Sequence, residues 1–182
     1  MWMRYSGVEK SFLQLKHLAE LRRMKRRDER REPVMKILIT TDWYTPAVNG
    51  VVTSVKNLQR ELEHRGHEVR ILTLSQTLHS WSRDGITAIG SINAGRIYPG
   101  ARLRTAMAGR WVRELLAWQP DVIHSQCEFS TFFMARRIAE GLDIPLIHTY
   151  HTVYEDYTHY LPVGRRAGKL VATTLSRRVC RR

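Results

Sequence analysis

From Met35 onward, short apolar runs alternate with longer stretches patterned for helix, and this alternation restricts the fold more than any other feature. Residues 36–41 form a continuous apolar run, as a strand covered on both faces requires. Residues 51–65 then place Val51, Val55, Leu58 and Leu62 on one helical stripe, with Gly66 suited to the position just past the helix end. Residues 68–74 read as the next strand, and residues 86–89 and 96–98 as weaker, shorter ones. A helix is expected over residues 102–118, stopped by Gln119-Pro120. Residues 121–124 read as another buried strand, Ser130 is suited to cap a helix running to Gly141, and residues 144–150 close the series. Residues 169–179 are again patterned for helix, with no strand after them. Strands and helices alternating at this length predict an α/β fold, a Rossmann-like doubly wound parallel sheet.

Residues 1–34 stand outside that pattern as a basic helical extension. Ser11 with Gln14 matches a capping box, Leu15, Leu18, Leu21 and Met24 fall at helical spacing, and residues 22–31 are almost wholly charged. Three readings compete: a membrane-surface or partner helix, a solvated tail, or an extension upstream of a natural start at Met35. The last is favoured, and the extension is expected to be dispensable to the fold.

Net charge is +13, of which residues 1–34 carry +5, residues 35–176 carry +4 and the last six residues +4. The excess favours phosphate-rich partners, either nucleic acid or an anionic membrane face. The patterned body is only mildly basic and has no recognisable nucleic-acid-reading motif, so nucleic acid is not expected. No run approaches the ~20 apolar residues of a membrane span. The N-terminus lacks the apolar core of a secretory signal. Cys127 and Cys180 form neither a disulfide framework nor a Cys-x-x-Cys pair, so a cytoplasmic setting without a zinc site is expected.

Three loops follow strand ends and carry chemistry-bearing residues. The loop of residues 42–50 ends in Asn49-Gly50 at a helix start, where N–H groups and the helix dipole favour an anion such as a diphosphate. It has one glycine and so lacks the Gly-x-Gly-x-x-Gly fingerprint of dinucleotide oxidoreductases. The plain alternative is a turn that uses glycine for positive φ. The loop His124-Ser125-Gln126-Cys127-Glu128 offers His124, equally readable as a hydrogen-bonded structural residue. Glu128 precedes a helix and could serve its dipole, and Cys127 reads as a packing residue. The third loop is the tract His148-Thr149-Tyr150-His151-Thr152-Val153-Tyr154-Glu155-Asp156-Tyr157, richer in polar and aromatic groups than packing asks for. In the usual strand order these loops border one crevice, where the order reverses.

Lys36-Ile37-Leu38-Ile39-Thr40-Thr41-Asp42 with Pro46-x-x-Asn49-Gly50-Val51, then Asp121-Val122-Ile123-His124 with Glu128-Phe129-Ser130, then the His148–Tyr157 tract with His159-Tyr160, resembles family 4 glycosyltransferases. Within that family the chain is similar to the bacterial diacylglycerol α-glucosyltransferases. The resemblance spans Met35 to the C-terminus, and the His148 tract is its most specific part. It implies a GT-B fold of two Rossmann-like domains, with residues 35–182 as the N-terminal, acceptor half and the C-terminal donor domain absent. It also implies retention of anomeric configuration and no cofactor or obligatory metal, the nucleotide sugar (UDP-glucose) being a substrate. Gly50 matches the glycine near the donor diphosphate, and His151 the active-site histidine facing the transferred sugar. The resemblance thus assigns His151 as catalytic and Gly50 to the donor diphosphate, and the convergence of the three loops adds Asn49, His124, Glu128, Tyr150 and Tyr154 as expected donor- and substrate-binding residues.

Residues 96–118 form a basic, amphipathic patch. Arg96, Arg102, Arg104, Arg110 and Arg113 precede the first acid, Glu114. On one helix, Leu103, Met107, Trp111, Leu115 and Trp118 would share a face, with Arg102, Arg110 and Arg113 together beside it. Arg102, Arg110, Trp111 and Arg113 are therefore the expected contacts with an anionic membrane, the competing reading being a core-facing helix with a solvated basic side. The combined expectation is the acceptor domain of a hexosyltransferase that glucosylates diacylglycerol, peripheral on the inner face of the cell membrane and inactive without its second domain. The alternative is a noncatalytic basic fragment that binds anionic membrane or nucleic acid.

Overall fold

A computed structural model describes residues 33–95, 102–104 and 109–151. The chain divides into two compact units, residues 1–33 and 34–182, and every described element lies in the second. In chain order these are β1 (Lys36–Thr40), α1 (Gly50–His64), β2 (Glu68–Leu74), β3 (Trp81–Arg83), β4 (Ile86–Ile89), β5 (Ser91–Asn93), β6 (Arg102–Arg104), α2 (Gly109–Trp118), β7 (Val122–Ser125), α3 (Ser130–Leu142) and β8 (Leu146–His148). Six strands form one sheet in the order β3-β4-β2-β1-β7-β8, and β5 pairs with β6 as a separate ribbon. All neighbours in the sheet are parallel except β3, which lies antiparallel to β4. This is the expected Rossmann-like α/β sheet, consistent with the N-terminal half of a GT-B fold.

The strand period of two sorts the apolar residues into two cores. On one face Ile37, Ile39, Val69, Ile71 and Val122 pack with Val55 of α1 and its partly buried neighbours Val51, Leu58 and Leu62. On the other face Leu38, Leu72, Leu74 and Ile123 pack with Val112, Leu115 and Trp118 of α2 and Met134, Ala135 and Ile138 of α3. Helix α1 ends as its sequence requires. Gly66 takes φ +89, its N–H donates to Glu63 O and the His67 N–H to Leu62 O, the paired bonds of a glycine-terminated helix.

Several sequence expectations need correction. The β3–β4 hairpin was not anticipated, although Asp84-Gly85, both at positive φ, is a turn signal matched to strand twist. Helix α2 starts at Gly109 rather than at residue 102, and Arg102–Arg104 is strand β6. The Arg-Leu-Arg alternation obeys a period of two, and pairing with β5 decides it. Leu103 and Arg102 therefore leave the helical face assigned to them. The buried stripe of α2 is Val112, Leu115 and Trp118, with Trp111 only partly covered. Strand β8 is three residues long, shorter than residues 144–150. Ser130 is the first helical residue of α3, not its cap. Residues 11–31, 96–98 and 169–179, expected as helix, strand and helix, lie outside the described residues. Among the described residues no helix is long and apolar enough to cross a membrane.

At the N-terminal edge of the sheet Trp118 locks α2 to the strands. Its Nε1–H donates to Glu68 (2.8 Å), its carbonyl accepts from Lys36 Nζ (3.1 Å), and the Arg70 guanidinium lies 4.5 Å from its ring centroid. Leu38→Ala, at the centre of the sheet, is expected to cost about 2–5 kcal/mol. Val48→Ala, 93% exposed, should stay within about 0.5 kcal/mol. Urea denaturation of the full chain measures both, and a Leu38→Ala loss under about 1 kcal/mol would contradict this core.

Candidate functional site

Strands β1, β7 and β8 are adjacent and parallel, so the loops that follow them leave the same sheet edge. From β1 the chain passes through α1 to β2 on one side and later returns to β7 on the other. The order therefore reverses between β1 and β7, where open α/β sheets form a crevice. Thr40, Thr41, Asp42, Ser125, Gln126, Glu128 and Thr131 are all buried here. Packing alone does not favour so many buried polar groups.

Asp42 organises the edge. Its carboxylate accepts the Ser130 N–H (3.1 Å) and the Thr131 N–H (2.8 Å) of α3. The residue before α3, Phe129, supplies no side-chain cap, so an acid from a distant loop satisfies the helix N-terminus instead. Burial pushes the Asp42 carboxyl above its ordinary 3.8, the bonds from α3 oppose that rise, and nearby Glu128 adds to it. Beside it Thr41 Oγ1 lies 3.6 Å from Cys127 Sγ. Burial, with Asp42 next, pushes the Cys127 thiol up to about 12. That keeps the sulfur protonated and fits its reading as a packing residue.

The β7 and β8 loops are joined by histidines. His151 Nε2 lies 2.7 Å from Gln126 Oε1, and His124 Nε2 lies 2.8 Å from Thr149 Oγ1. An amide oxygen accepts, so the His151 contact assigns the proton to Nε2 and leaves Nδ1 as the acceptor. His148 Nε2 stands 3.5 Å from Glu128 Oε1, with the rings of Phe132 and Tyr150 edge-on to it at 5.2 and 6.4 Å. Burial lowers the His124 pKa below the ordinary 6.5, and the imidazoles of His148 and His151 add to the effect. The buried Nε2 of Gln126 has no hydrogen-bond partner.

The β1 loop supplies the start of α1. Asn49 Oδ1 accepts the Val52 N–H (2.9 Å) and its carbonyl accepts the Thr53 N–H (3.0 Å). The Asn49 side chain is thus a helix cap, and the N–H groups of Gly50 and Val51 are not used by it. Gly50 does not adopt positive φ, which removes the conformational reason for glycine there. A Cβ at Gly50 would meet nothing within 4 Å, so open space lies above it.

The structure therefore brings His124, Glu128, Tyr150 and His151 together and sets Asn49 and Gly50 on a loop of the same sheet edge. Tyr154 lies outside the described residues. Asp42, Gln126, His148 and Thr149 carry no individual signal in the sequence. Their partners are 20 to 89 positions distant, and no local spacing reveals such pairs. The expected membrane residues divide. Arg110 pairs with Glu114 (2.9 Å) and lies 5.0 Å from the Trp111 ring centroid, and Arg113 is exposed. Arg102 is elsewhere: its guanidinium is bonded to Ser75, Gln76 and Ser91, which overturns its grouping with Arg110 and Arg113.

Residues 48–182 match Glycosyltransferase Family 4. An alpha-monoglucosyldiacylglycerol synthase of Streptococcus pneumoniae (strain ATCC BAA-255 / R6) is 39% identical over 133 residues, covering 71% of this chain and 30% of that protein. One of Acholeplasma laidlawii is 36% identical over 129 residues, 70% of this chain and 32% of its own length. Sulfoquinovosyl transferase SQD2 of Arabidopsis thaliana is 29% identical over 106 residues, 58% of this chain and 21% of its length. The chain thus spans about a third or less of the relatives it matches.

Asp42→Ala leaves two N–H groups of α3 without an acceptor and is expected to destabilise the chain by about 2 kcal/mol. A loss under about 0.5 kcal/mol in urea denaturation at neutral pH would show the cap to be dispensable. For His124, the lowered pKa means that the unfolded chain takes up a proton first as pH falls below 6.5. Its contribution is therefore present above 6.5 and is lost as pH drops through the lower folded value. NMR titration should place His124 below 6.5, and His124→Gln should flatten the acid-side fall in denaturation midpoint. An unchanged pH profile would exclude His124 as its source.

Proposed function

We propose, from the premise that this chain belongs to Glycosyltransferase Family 4, that it is the acceptor-side domain of an enzyme transferring glucose from UDP-glucose to diacylglycerol with retention of configuration. The observation that carries the reading is the convergence at one switch point of His151, held by Gln126, with the open N-terminus of α1 on the same sheet edge. The likeness to two alpha-monoglucosyldiacylglycerol synthases supports the sugar and the lipid.

In this reading the donor diphosphate approaches α1 over Gly50, where a side chain would intrude. The N–H groups of Gly50 and Val51 and the helix dipole stabilise the charge that develops as the diphosphate leaves. A second domain supplies the remaining donor contacts. The acceptor hydroxyl attacks C1 from the face the diphosphate departs and passes its proton to the departing diphosphate oxygen, which balances the step and preserves the anomeric configuration. His151 orients the sugar or the acceptor in this reading, its Nε2 held by Gln126 and its Nδ1 turned to the substrate as an acceptor. His124, Glu128 and Tyr150 shape the wall of the site. No obligatory metal is required in this scheme, and the protein works as a peripheral enzyme on the cytoplasmic membrane face. Arg110, Arg113 and Trp111 are its proposed contacts on α2.

A chimera tests this, with residues 35–182 replacing the matched region of the Streptococcus relative. With UDP-glucose and diacylglycerol in anionic vesicles it should form a glucolipid whose anomeric proton marks the α product. The chain alone should form none. In the chimera His151→Ala should lower kcat roughly a hundredfold through lost positioning with an unchanged thermal melt. A folded chimera without glucolipid product would overturn the function, and a β product would overturn retention.

A further inference from the structure

The β5–β6 ribbon is amphipathic the wrong way round. Its register pairs Ile92 with Leu103, Ser91 with Arg104 and Asn93 with Arg102. Alternation therefore puts Ile92 and Leu103 side by side on one face and the four polar residues on the other. The polar face is the one tied to the body. Ser91 is buried and its hydroxyl donates to the Ser75 carbonyl. Arg102 donates from Nε to Ser75 O (3.0 Å) and Ser91 Oγ (2.7 Å), and from Nη2 to Gln76 O (2.8 Å) and Ser91 O (3.1 Å). Its Nη1 reaches Gln76 Oε1 at 3.2 Å. The apolar face is left outward, with Ile92 46% and Leu103 45% exposed.

The approach to β5 from the body is equally fixed. A Cβ at Gly90 would fall 2.0 Å from the Leu78 carbonyl oxygen, so only glycine lets the segment after β2 cross there. The Ser91 N–H donates to Thr77 O (2.9 Å). Leu78 itself is 62% exposed, a third large apolar side chain at this crossing. A water-facing ribbon would turn its serine and arginines outward. Here five bonds from Arg102 hold it and Ser91 inward, while Arg104 and Asn93 stay exposed, and that arrangement suits a surface whose surroundings are not water.

We propose that the outer face of the β5–β6 ribbon, led by Ile92 and Leu103, inserts into the headgroup–acyl boundary of an anionic bilayer. The inference rests on the lipid-acceptor reading above and names the element that enters the lipid. Charge selects the occupant: residues 92–113 contain five arginines and no acid, so an apolar tip is embedded in a cationic stretch. Arg104 at the ribbon and Arg113 on α2 are exposed and would be free to reach headgroup phosphates at the rim of the inserted face. Arg102 instead clamps the ribbon, as a positioning residue.

The full chain is assayed by cosedimentation with vesicles of phosphatidylcholine, with and without phosphatidylglycerol. Ile92→Asn with Leu103→Asn, both exposed positions, should leave the thermal melt unchanged. The pair should weaken binding to the anionic vesicles roughly tenfold or more, and the gap should persist at salt high enough to screen the basic termini. A second readout places an environment-sensitive fluorophore at Leu103→Cys or Lys56→Cys in a Cys180→Ser background, Cys127 being buried. Emission should shift to the blue at position 103 on anionic vesicles and stay unchanged at position 56, an exposed position of α1. If the wild-type chain fails to bind anionic vesicles at all, both the insertion and the membrane reading fall. If it binds and the double variant binds equally, the insertion alone falls. A dimer that the double variant converts to monomer, with vesicle binding unaltered, would assign the ribbon to a second copy and overturn the proposal.

Discussion

Everything in this domain depends on the burial of β1 on both faces and its pairing on both edges. Ile37 and Ile39 face one core and Leu38 the other, while β2 and β7 take the two rows of backbone hydrogen bonds. A strand in that position cannot shift by one residue without moving each apolar side chain into the wrong layer. Its register is therefore rigid, and so is the point at which it ends. Asp42, two residues beyond β1, inherits that rigidity and transmits it to α3 through two N–H bonds. Fixing β1 thus fixes where the neighbouring helix begins.

The same constraint explains why the polar groups of the crevice can be buried. Gln126 and Glu128 follow β7, and His148 ends β8; parallel pairing brings these strand ends level. The side chains then find hydrogen-bond partners across loops rather than along the chain, His151 with Gln126 and His124 with Thr149, while His148 approaches Glu128 to 3.5 Å. Such a network resists rearrangement because each buried group that loses its partner carries a desolvation penalty. Under the proposed function the crevice gains preorganisation from this arrangement. The geometry of His151 is set by a buried amide and not by its own exposed loop.

The ribbon and α2 divide what the sequence suggests is one basic amphipathic helix. Arg102 is drawn inward because its planar guanidinium can satisfy several carbonyl and hydroxyl oxygens at once, which a compact ammonium could not match. Once it is anchored, its neighbour Leu103 must face outward. Trp118 at the other end of α2 makes the opposite choice, burying its ring against the core and donating its indole N–H to Glu68. One basic stretch therefore contributes both a core helix and an exposed apolar edge.

By itself the sequence determined the alternation of strands and helices, the two-sided burial of β1, the helix end at Gly66, and the three loops that border the crevice. These are legible because each depends on local periodicity or on one residue's conformational preference. The motif tract around His148 also pointed to the family. What only the tertiary structure decided was the role of residues whose partners lie far along the chain. Asp42 reads as an ordinary loop acid until α3 is docked beside it, and Gln126 as an unremarked amide until His151 arrives. Arg102 fits a helical stripe equally well until β5 offers it a ladder. In each case two local readings are nearly equal in energy. The contact that separates them forms only when distant segments share a sheet edge, and no spacing in the sequence encodes that distance.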